Sequence, residues 1–458
     1  MRPTVPMTAV DHDAHHAPLR LRSRRIVTPG AVIDGEIVVR AGRIASLDSA
    51  GADGVQRSPG QTIELGSDWV VRGFIDGHVH GGGGAQCNSD DPDEVAAVAA
   101  FHARHGTTAL LATTVSAPLS GLAAALRTIG HARARENGAT AGGDVPGPGS
   151  TPGAAILGVH LEGPFLNVSR PGAMDPGSFL APDSAALAAL LAVEPGLVAM
   201  MTVAPELPGA TALIRELAAR GVVASLGHSQ ATEAQTAAAV DAGACAVTHT
   251  FNAMGPMHHR EPGLAGAALD RPGLSCELIA DGIHVTASAL RLAHRAKGTS
   301  GIRLVTDAIA AAGMPDGHYR LGAIEVRVDD GCARLAAGQA LAGSTLTMDK
   351  AGPDRRPRAP GGAARGGHDG LGQPGPAARS PGPQGVDRHR DGRRPRGAAR
   401  GPQYAGDARR LAAGPSPLSC GSAARPTRRS PRARRTPAAT RSRGRRSGRR
   451  SSPRNRRA

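Results

Sequence analysis

Residues 74–80 read Phe-Ile-Asp-Gly-His-Val-His, and a run of four glycines follows at 81–84. The apolar start predicts a short β-strand with two histidines at its end. Because alternate side chains of a strand share one face, His78 and His80 are expected to point the same way. Two imidazoles on one face suit a divalent metal. The alternative is a pair of solvated histidines in a flexible glycine loop.

From this stretch onward, through residues 73–310, apolar β-type runs alternate with Ala- and Leu-rich helical stretches. Eight such strands alternating with helices predict an α/β fold, a (β/α)8 barrel of TIM type. The strands are predicted to begin near Phe74, Ala109, Ala155, Leu197, Val222, Ala246, Cys276 and Ile302. Among the predicted helices are 93–104, 119–135, 184–192 and 231–242.

The segments before and after this alternating region have different sequence patterns. Residues 1–25 are predicted to form a flexible leader, and residues 26–72, with short apolar runs between Gly and Asp turns, a small β domain. The barrel domain is predicted to span 73–350. Within it, 138–153 is a Gly/Pro-rich insertion and 318–338 an appended β-hairpin.

Residues 351–458 have a different composition. They contain 28 Arg, no Lys, five Asp and no Glu, a net charge of +23, whereas residues 1–350 contain 26 Lys+Arg and 33 Asp+Glu, a net charge of −7. Without Ile, Phe, Met or Trp, the segment is expected to be disordered, because it cannot bury enough apolar surface to offset its ordering entropy. A basic arm for nucleic acid is one interpretation. A shifted reading frame in a GC-rich gene is favoured, because Arg, Ala, Gly and Pro dominate the segment.

The cysteines and the chain start indicate a compartment. The five cysteines show neither C-x-x-C nor zinc-finger spacing, which favours reduced thiols in a cytoplasmic protein. The N-terminus is polar and lacks the apolar core of a signal peptide. No stretch approaches the roughly 20 apolar residues that cross a membrane. The sequence therefore predicts a cytoplasmic protein without a membrane partner.

Six metal-type side chains, the histidine pair included, stand at the carboxyl ends of predicted strands one, three, five, six and eight. These ends open onto one mouth of a barrel, where barrel enzymes keep their sites. The sequence therefore predicts a shared metal site. Its residues are His78, His80, Glu162, His228, His249 and Asp307.

A carbamylated lysine that bridges two metals is a rival arrangement within this architecture. The chain has two lysines, Lys297 and Lys350, and neither ends a central barrel strand. Glu162 is therefore the expected carboxylate bridge. Because histidine and carboxylate ligands accept Zn, Fe, Mn or Co, the sequence predicts one or two divalent ions without naming the metal.

Seven motifs together resemble the N-acetylglucosamine-6-phosphate deacetylases of the amidohydrolase superfamily. The resemblance runs from about residue 26 to 350, and Asn-Ala-Met followed by Arg-Glu-Pro-Gly separates this family from its superfamily relatives. In chain order the motifs are FIDGHVHG (74–81), HLEGPF (160–165), LGHS (226–229), THTFNAM (248–254), REPG (260–263), IADGIH (279–284) and LVTDA (304–308).

The resemblance implies a role for each matched residue. Glu162, His228 and His249 would hold the principal metal, and His78 with His80 a second one. Asp307 would be the general acid/base. The implied substrate contacts are Asn252, the Ala253 backbone and Arg260 for the phosphate, with Arg260 reaching a neighbouring subunit's site, His284 for the sugar or the amide, Leu341, Ala342 and Gly343 for the acetyl group, and Ala173.

Two departures from the family pattern stand out. The family usually has His two residues after Gly in the loop that follows Glu162, whereas this chain has Met174 after Gly172. Met cannot donate the same hydrogen bond, which leaves the sugar preference open. The family also continues beyond about residue 350 with barrel-closing helices and strands of the small β domain, and neither is legible here.

The resemblance implies a homodimeric enzyme that converts N-acetylglucosamine 6-phosphate to glucosamine 6-phosphate and acetate. The chemistry fits the residues, because a metal activates water and polarises a carbonyl, a carboxylate such as Asp307 moves the proton, and Arg binds phosphate through its planar fork. Two alternatives stay open. One is another metal-dependent amidohydrolase acting on a cyclic amide or a base, and the other is a nucleic-acid-binding protein acting through 351–458.

Overall fold

The computed structural model describes residues 17–49, 61–141 and 153–352. A five-stranded sheet comes first, and its central strand pairs antiparallel with the second strand and parallel with the fourth and fifth. This is the small β domain that the sequence predicts. Its strands are β1 (Leu19–Val27), β2 (Val32–Arg40), β3 (Arg43–Ser49), β4 (Gln61–Glu64) and β5 (Trp69–Val70).

The predicted boundary between the leader and this sheet is wrong, because β1 begins at Leu19 and not at residue 26. The arginines at the start of the strand interrupt the apolar pattern by which a strand is predicted. Arg20 is buried and forms an ion pair with Glu36 of β2, so a charged side chain occupies an inward position. An apolar pattern cannot reveal such a strand. Residues 1–16, the rest of the predicted leader, lie outside the described residues.

Eight parallel strands form the second sheet and pair in the order in which the chain reaches them, as the barrel prediction requires. Every predicted strand start lies within two residues of the observed one. The strands are β6 (Phe74–Val79), β9 (Thr107–Thr114), β10 (Ala155–Glu162), β11 (Val198–Val203), β12 (Val223–Leu226), β13 (Ala246–Val247), β14 (Ser275–Ile279) and β15 (Ile302–Val305), while β7 (Gly81–Gly82) and β8 (Ala85–Gln86) pair with each other in the glycine-rich loop.

In the described part of the chain, seven helices alternate with the barrel strands, and several of their starts follow from local sequence. Thr232 and Gln235 form a capping box, and Asp183 accepts a hydrogen bond from the N–H of Ala186. Each fully buried Leu or Ile on their inner faces contributes about 1.5–3 kcal/mol. In the described part of the chain, no helix is long and apolar enough to cross a bilayer. The helices are α1 (Pro92–Ala103), α2 (Leu119–Ala141), α3 (Ser184–Val193), α4 (Ala210–Ala219), α5 (Glu233–Ala242), α6 (Gly263–Asp270) and α7 (Ala287–Lys297).

The first and last barrel strands meet through backbone contacts just beyond their carboxyl ends. The N–H of Asp307 donates to the carbonyl of His78 at 2.9 Å, and the N–H of His80 donates to the carbonyl of Ala308 at 2.9 Å. Val79 and Ala308 form an isolated parallel bridge. The predicted barrel is therefore confirmed, and its seam lies beside three of the predicted site residues.

The segment after the eighth strand differs from the predicted hairpin, because it contains three strands. The antiparallel sheet consists of β16 (Gly317–Leu321), β17 (Ile324–Asp329) and β18 (Cys332–Leu335). The third strand follows a tight turn in which Asp330 and Gly331 both have positive φ. Of the predicted 138–153 insertion, 142–152 lies outside the described residues.

Among the described cysteines, Cys87, Cys276 and Cys332 are free thiols, which agrees with the prediction of reduced thiols for these three. Cys420 lies outside the described residues.

The described part of the chain leaves the eighth barrel unit without a helix. After β15 it contains β16 to β18 and a short 3-10 helix (Met348–Lys350), and it ends at Gly352, whose N–H donates to the carbonyl of Ala280 at 3.0 Å. In the first sheet, large apolar side chains are exposed, with Ile44 at 72% and Trp69 at 40%. The predictions for 353–458, disorder included, concern residues outside the described ones.

We expect the chain with 351–458 as encoded to give little soluble protein and a broad thermal transition. The physical reason is that large apolar side chains of the first sheet, such as Ile44 and Trp69, are exposed in the described part of the chain, and exposed apolar patches promote aggregation. Restoring the frame near codon 350 is expected to raise the soluble yield and sharpen unfolding. Expression of both versions side by side, followed by calorimetry, measures this. Equally cooperative unfolding of the two would contradict the frame-shift interpretation.

Candidate metal centre

The strand ends at one mouth of the barrel have a strained backbone. His228, His249 and Asp307, each within two residues after a strand end, have positive φ angles of 47°, 28° and 50°. A non-glycine residue in this left-handed region costs of order 1–3 kcal/mol, and such residues concentrate at functional sites. In this conformation the three residues line one cavity.

Glu162, His228 and His249 bring three potential ligand atoms together. Oε1 of Glu162 lies 3.0 Å from Nε2 of His228 and 2.9 Å from Nε2 of His249. The two ring nitrogens are 3.1 Å apart. All three side chains are buried. This donor set, one carboxylate oxygen and two imidazole nitrogens, is one that divalent transition metals accept.

A second group adjoins the first and shares Glu162 with it. Nε2 of His80 lies 3.0 Å from Oε2 of Glu162, 3.2 Å from Oδ1 of Asp307 and 3.1 Å from Nε2 of His78. The two oxygens of Glu162 therefore face the two groups. This arrangement agrees with the expectation that Glu162, and not a lysine, can bridge two ions.

In His228 and His80, the hydrogen bond of Nδ1 explains why Nε2 is free to bind a metal. Nδ1 of His228 donates to the carbonyl of Arg170 at 2.9 Å, and Nδ1 of His80 donates to the carbonyl of Thr113 at 3.2 Å. A carbonyl only accepts, so the proton of a neutral ring sits on Nδ1 and Nε2 keeps its lone pair. Metal-binding histidines are held in this way by neighbouring acceptors.

The charges of the site stabilise one another. Burial lowers the pKa of His78, but Glu162 and Asp307 outweigh it, and the pKa rises well above the usual value. Burial raises the pKa of Glu162, but the charge of His78 and hydrogen bonds from His228 and His249 hold it well below its usual range. The carboxylates thus remain ionised and favour positive charge at the centre, which a metal ion supplies.

Asp76 supports the positions of His78 and Thr306 through hydrogen bonds. It is fully buried, and burial raises its pKa to about 7 despite hydrogen bonds from Thr306. Its oxygens accept from the hydroxyl of Thr306 at 2.6 Å and from the N–H of His78 at 3.3 Å. One side chain of the first strand therefore fixes both the histidine pair and the residue that precedes Asp307.

A cavity of about 310 Å³ opens over the metal-type residues, a size within the usual range for small-molecule sites. Of the predicted site residues, the structure brings eleven to its wall. Met174, which stands in place of the family's usual histidine, also lines it, as do Val115, Phe251 and Leu321, to which the sequence gives no role. The eleven predicted residues are His80, Glu162, Ala173, His228, His249, Asn252, Ala253, His284, Asp307, Leu341 and Gly343.

Three predicted residues lie elsewhere. His78 is fully buried beneath the lining, and Ala342 is buried behind it against the apolar cluster that contains Met174. Arg260 is exposed and contacts His259, with 2.8 Å between Nη1 and Nε2. Arg260 therefore does not line the cavity of its own chain.

Asp281, in the motif 279–284, supports His284, although the sequence predicts no role for it. Its Oδ2 lies 2.7 Å from Nδ1 of His284, and its Oδ1 accepts from the N–H groups of Ile283 and His284, each at 2.8 Å. The spacing Asp-x-x-His could have revealed this contact. No comparable signal exists for Leu321, because it reaches the cavity from the sheet appended after the barrel.

The barrel and the clustered ligands define a metal-dependent hydrolase, and comparison with known proteins narrows this class. The sequence model of the Amidohydrolase family matches residues 69–320. The chain is 40% identical over 332 residues to the N-acetylgalactosamine-6-phosphate deacetylase of Escherichia coli O157:H7, covering 72% of this chain and 82% of the relative. It is 36% identical over 335 residues to the N-acetylglucosamine-6-phosphate deacetylase of Bacillus subtilis (strain 168), covering 72% and 81%.

Solved structures agree with these sequence matches. The N-acetyl-D-glucosamine-6-phosphate deacetylase of Mycobacterium smegmatis, an Asp-to-Ala variant in complex with N-acetyl-D-glucosamine-6-phosphate, has 37% identity, a TM-score of 0.65 and coverage of 73% of this chain and 82% of that one. The chain therefore belongs to the amidohydrolase family, among the N-acetylhexosamine-6-phosphate deacetylases. Members of the family are metal-dependent, and the described residues include groups that can hold a metal.

We expect the chain with its reading frame restored near codon 350 to bind up to two divalent ions, with His78 and His80 holding the weaker one. His80→Asn should then bind one ion where the unmodified chain binds two, because one ligand of the second group is lost. His105→Asn, a change outside the site, serves as the control and should leave the stoichiometry unchanged. Metal analysis after stepwise dialysis against a chelator measures it. A protein that binds no divalent metal would rule out the hydrolase interpretation.

Proposed function

We propose that the chain is a metal-dependent deacetylase that converts N-acetylglucosamine 6-phosphate to glucosamine 6-phosphate and acetate in amino-sugar catabolism. One observation carries the proposal. The ligand set of Glu162, His228 and His249 lies with Asp307 in the wall of the cavity that Asn252 also lines. A structure of a relative 37% identical to this chain holds N-acetyl-D-glucosamine-6-phosphate.

Glu162, His228 and His249 are the residues that would hold the principal ion, with His78 and His80 available for a second. A divalent ion bound there would polarise the amide carbonyl and lower the pKa of a neighbouring water. Which ion binds depends on the availability of each metal in the cell as much as on these ligands. The candidates are Zn, Fe, Mn and Co.

Asp307 is the proposed general acid/base. Burial raises its pKa, but His78 and His80 outweigh burial and the pKa lies below the usual value, so the side chain is a carboxylate at neutral pH. It can accept a proton from the attacking water and return it to the leaving nitrogen. The oxygen of the water joins the acyl carbon, the C–N bond breaks, and acetate and the free amine result.

His284 is proposed to contact the sugar. The carboxylate of Asp281 only accepts, so Nδ1 of His284 donates to it, and Nε2 of the neutral ring is an acceptor. An acceptor suits a sugar hydroxyl, whereas polarising the amide carbonyl would require a donor. Leu341, Ala342 and Gly343 remain the proposed acetyl-binding segment, and Ala173 a further substrate contact.

Asn252, the Ala253 backbone and Arg260 are the proposed phosphate contacts. Asn252 and Ala253 line the cavity, whereas Arg260 is exposed outside it. This position supports a homodimer in which Arg260 of one subunit enters the site of the other. We also propose a cytoplasmic enzyme, because its substrate and products are phosphorylated or small metabolites.

N-Acetylgalactosamine 6-phosphate is the second candidate substrate, and the specific reason is the 40% identity to a deacetylase of that name. The two sugars differ in the configuration at C4. Met174 lines the cavity in place of the histidine usual in the family, and its sulfur accepts from the N–H of Ser116 at 3.4 Å. A cyclic-amide substrate and a nucleic-acid partner are not favoured by any of the comparisons.

For the chain with its reading frame restored near codon 350, we expect acetate release from N-acetylglucosamine 6-phosphate. Asp307→Asn should lower kcat by about 10²- to 10⁴-fold, because the amide cannot shuttle the proton. Asp329→Asn, on the exposed side of β17, is the matched control and should behave as the unmodified chain. An enzymatic acetate assay with both C4 epimers measures rate and preference. Faster turnover of the galacto epimer would reassign the substrate, and a cyclic amide hydrolysed faster than either sugar would refute the proposal.

We expect Arg260→Ala to raise KM for the phosphorylated sugar by about 10- to 150-fold, since a lost charge-assisted hydrogen bond costs about 1.5–3 kcal/mol. The unphosphorylated sugar should be nearly unaffected. Arg295→Ala, an arginine in the last turn of α7, controls for loss of surface charge. Steady-state kinetics on both sugars measure the difference. Equal losses on the two sugars would show that Arg260 does not contact the phosphate.

A further inference from the structure

We propose that Glu277, a buried carboxylate on β14, is a positioning residue of the metal centre. Its carboxylate accepts a hydrogen bond from Nδ1 of His78 and thereby directs Nε2 of the same ring toward the ion. The inference rests on the metal centre of the proposed function and is independent of which amide the enzyme hydrolyses. None of the motifs that carry the family resemblance includes Glu277.

The contacts of His78 point in two opposite directions. Nδ1 lies 3.3 Å from Oε2 of Glu277, while Nε2 lies 3.1 Å from Nε2 of His80 and 3.5 Å from Oε2 of Glu162. Glu277 therefore occupies the far side of the ring from the ligand cluster. A carboxylate in this place fixes the tautomer and the ring orientation and makes the other nitrogen a stronger ligand.

Glu277 reaches the second ligand group as well. The same Oε2 accepts from the backbone N–H of His249 at 3.3 Å. His249 has a positive φ of 28°, and this hydrogen bond helps to hold that strained conformation. One carboxylate oxygen thus contacts a residue from each of the two groups that Glu162 joins on the opposite side.

Packing alone does not account for a carboxylate at this position. Glu277 is 1% exposed, and its neighbours along β14, Cys276 and Leu278, are buried and apolar. A buried charge costs free energy unless it is paired. The contacts that offset this cost are Nδ1 of His78 and the backbone N–H of His249, both 3.3 Å from Oε2 of Glu277.

Two other titratable groups face Glu277 and provide the structural alternative. Arg303 is its register partner on β15, so the alternative role of Glu277 is to neutralise the charge of that arginine. His160 adjoins it on another side, and Nε2 of that ring lies 2.8 Å from the hydroxyl of Thr202. An experiment must therefore separate support of His78 from neutralisation of Arg303.

The test compares two variants of the full chain in Co²⁺ binding. Glu277→Gln keeps the size and an accepting oxygen but removes the charge, and Glu277→Asp keeps the charge beside Arg303 but withdraws it from His78. We expect both to bind Co²⁺ about 10- to 100-fold more weakly, by calorimetric titration of chelator-treated protein. The visible absorption of the bound Co²⁺ should also change, because the ligand field of His78 changes.

Arg303→Met and Glu325→Gln complete the set. Arg303→Met removes the alternative partner and should leave Co²⁺ affinity close to that of the unmodified chain, as should Glu325→Gln on the exposed side of β17. Unaltered affinity and spectrum in either Glu277 variant would overturn the proposal, and so would an equal loss in Arg303→Met. If Glu277→Gln fails to fold, Glu277→Asp decides alone. No substrate is present, so failure of the proposed function would not affect the result.

Discussion

The carboxylate of Glu162 and the imidazoles around it are the interaction on which the rest of the site depends. Oε1 of Glu162 lies about 3 Å from ring nitrogens of His228 and His249, and Oε2 lies 3.0 Å from that of His80. Four different strands supply these four residues, so the cluster exists only when the barrel is nearly closed. Such a buried set of charges reduces stability unless it is paired, and a bound cation completes the pairing. Fold and metal binding are therefore energetically coupled.

Barrel closure and catalysis share the same residues for this reason. The seam between the first and last strands is formed by backbone hydrogen bonds of His78, His80 and Asp307, and Asp76 fixes it by accepting from Thr306. Strain at the strand ends is maintained by these contacts. A change that loosens the eighth strand would displace Asp307 from the ligand cluster, even though it leaves every ligand in place. The described part of the chain ends at Gly352, after the three-stranded sheet and the short 3-10 helix that follow that strand.

The barrel and most of the cavity wall could be predicted, because strand periodicity and polar residues at strand ends are local properties of the sequence. The strand at Leu19 could not, since Arg20 occupies an inward position, and the third strand of the appended sheet lies within the span 318–338 predicted as a two-stranded hairpin. Glu277 was invisible for a different reason: it lies in the middle of a strand, where its role arises from a contact with His78 199 positions away. Arg260 shows a further limit, because its proposed target lies on another subunit.

Anomalous diffraction from crystals of the full chain loaded with zinc would test the central claim most directly. Data collected above and below the zinc absorption edge locate the ion without reference to activity. The account predicts a strong peak bounded by Glu162, His228 and His249, with any second, weaker peak beside His78 and His80. Zinc bound only at other residues, with the Glu162 cluster intact and empty, would contradict it.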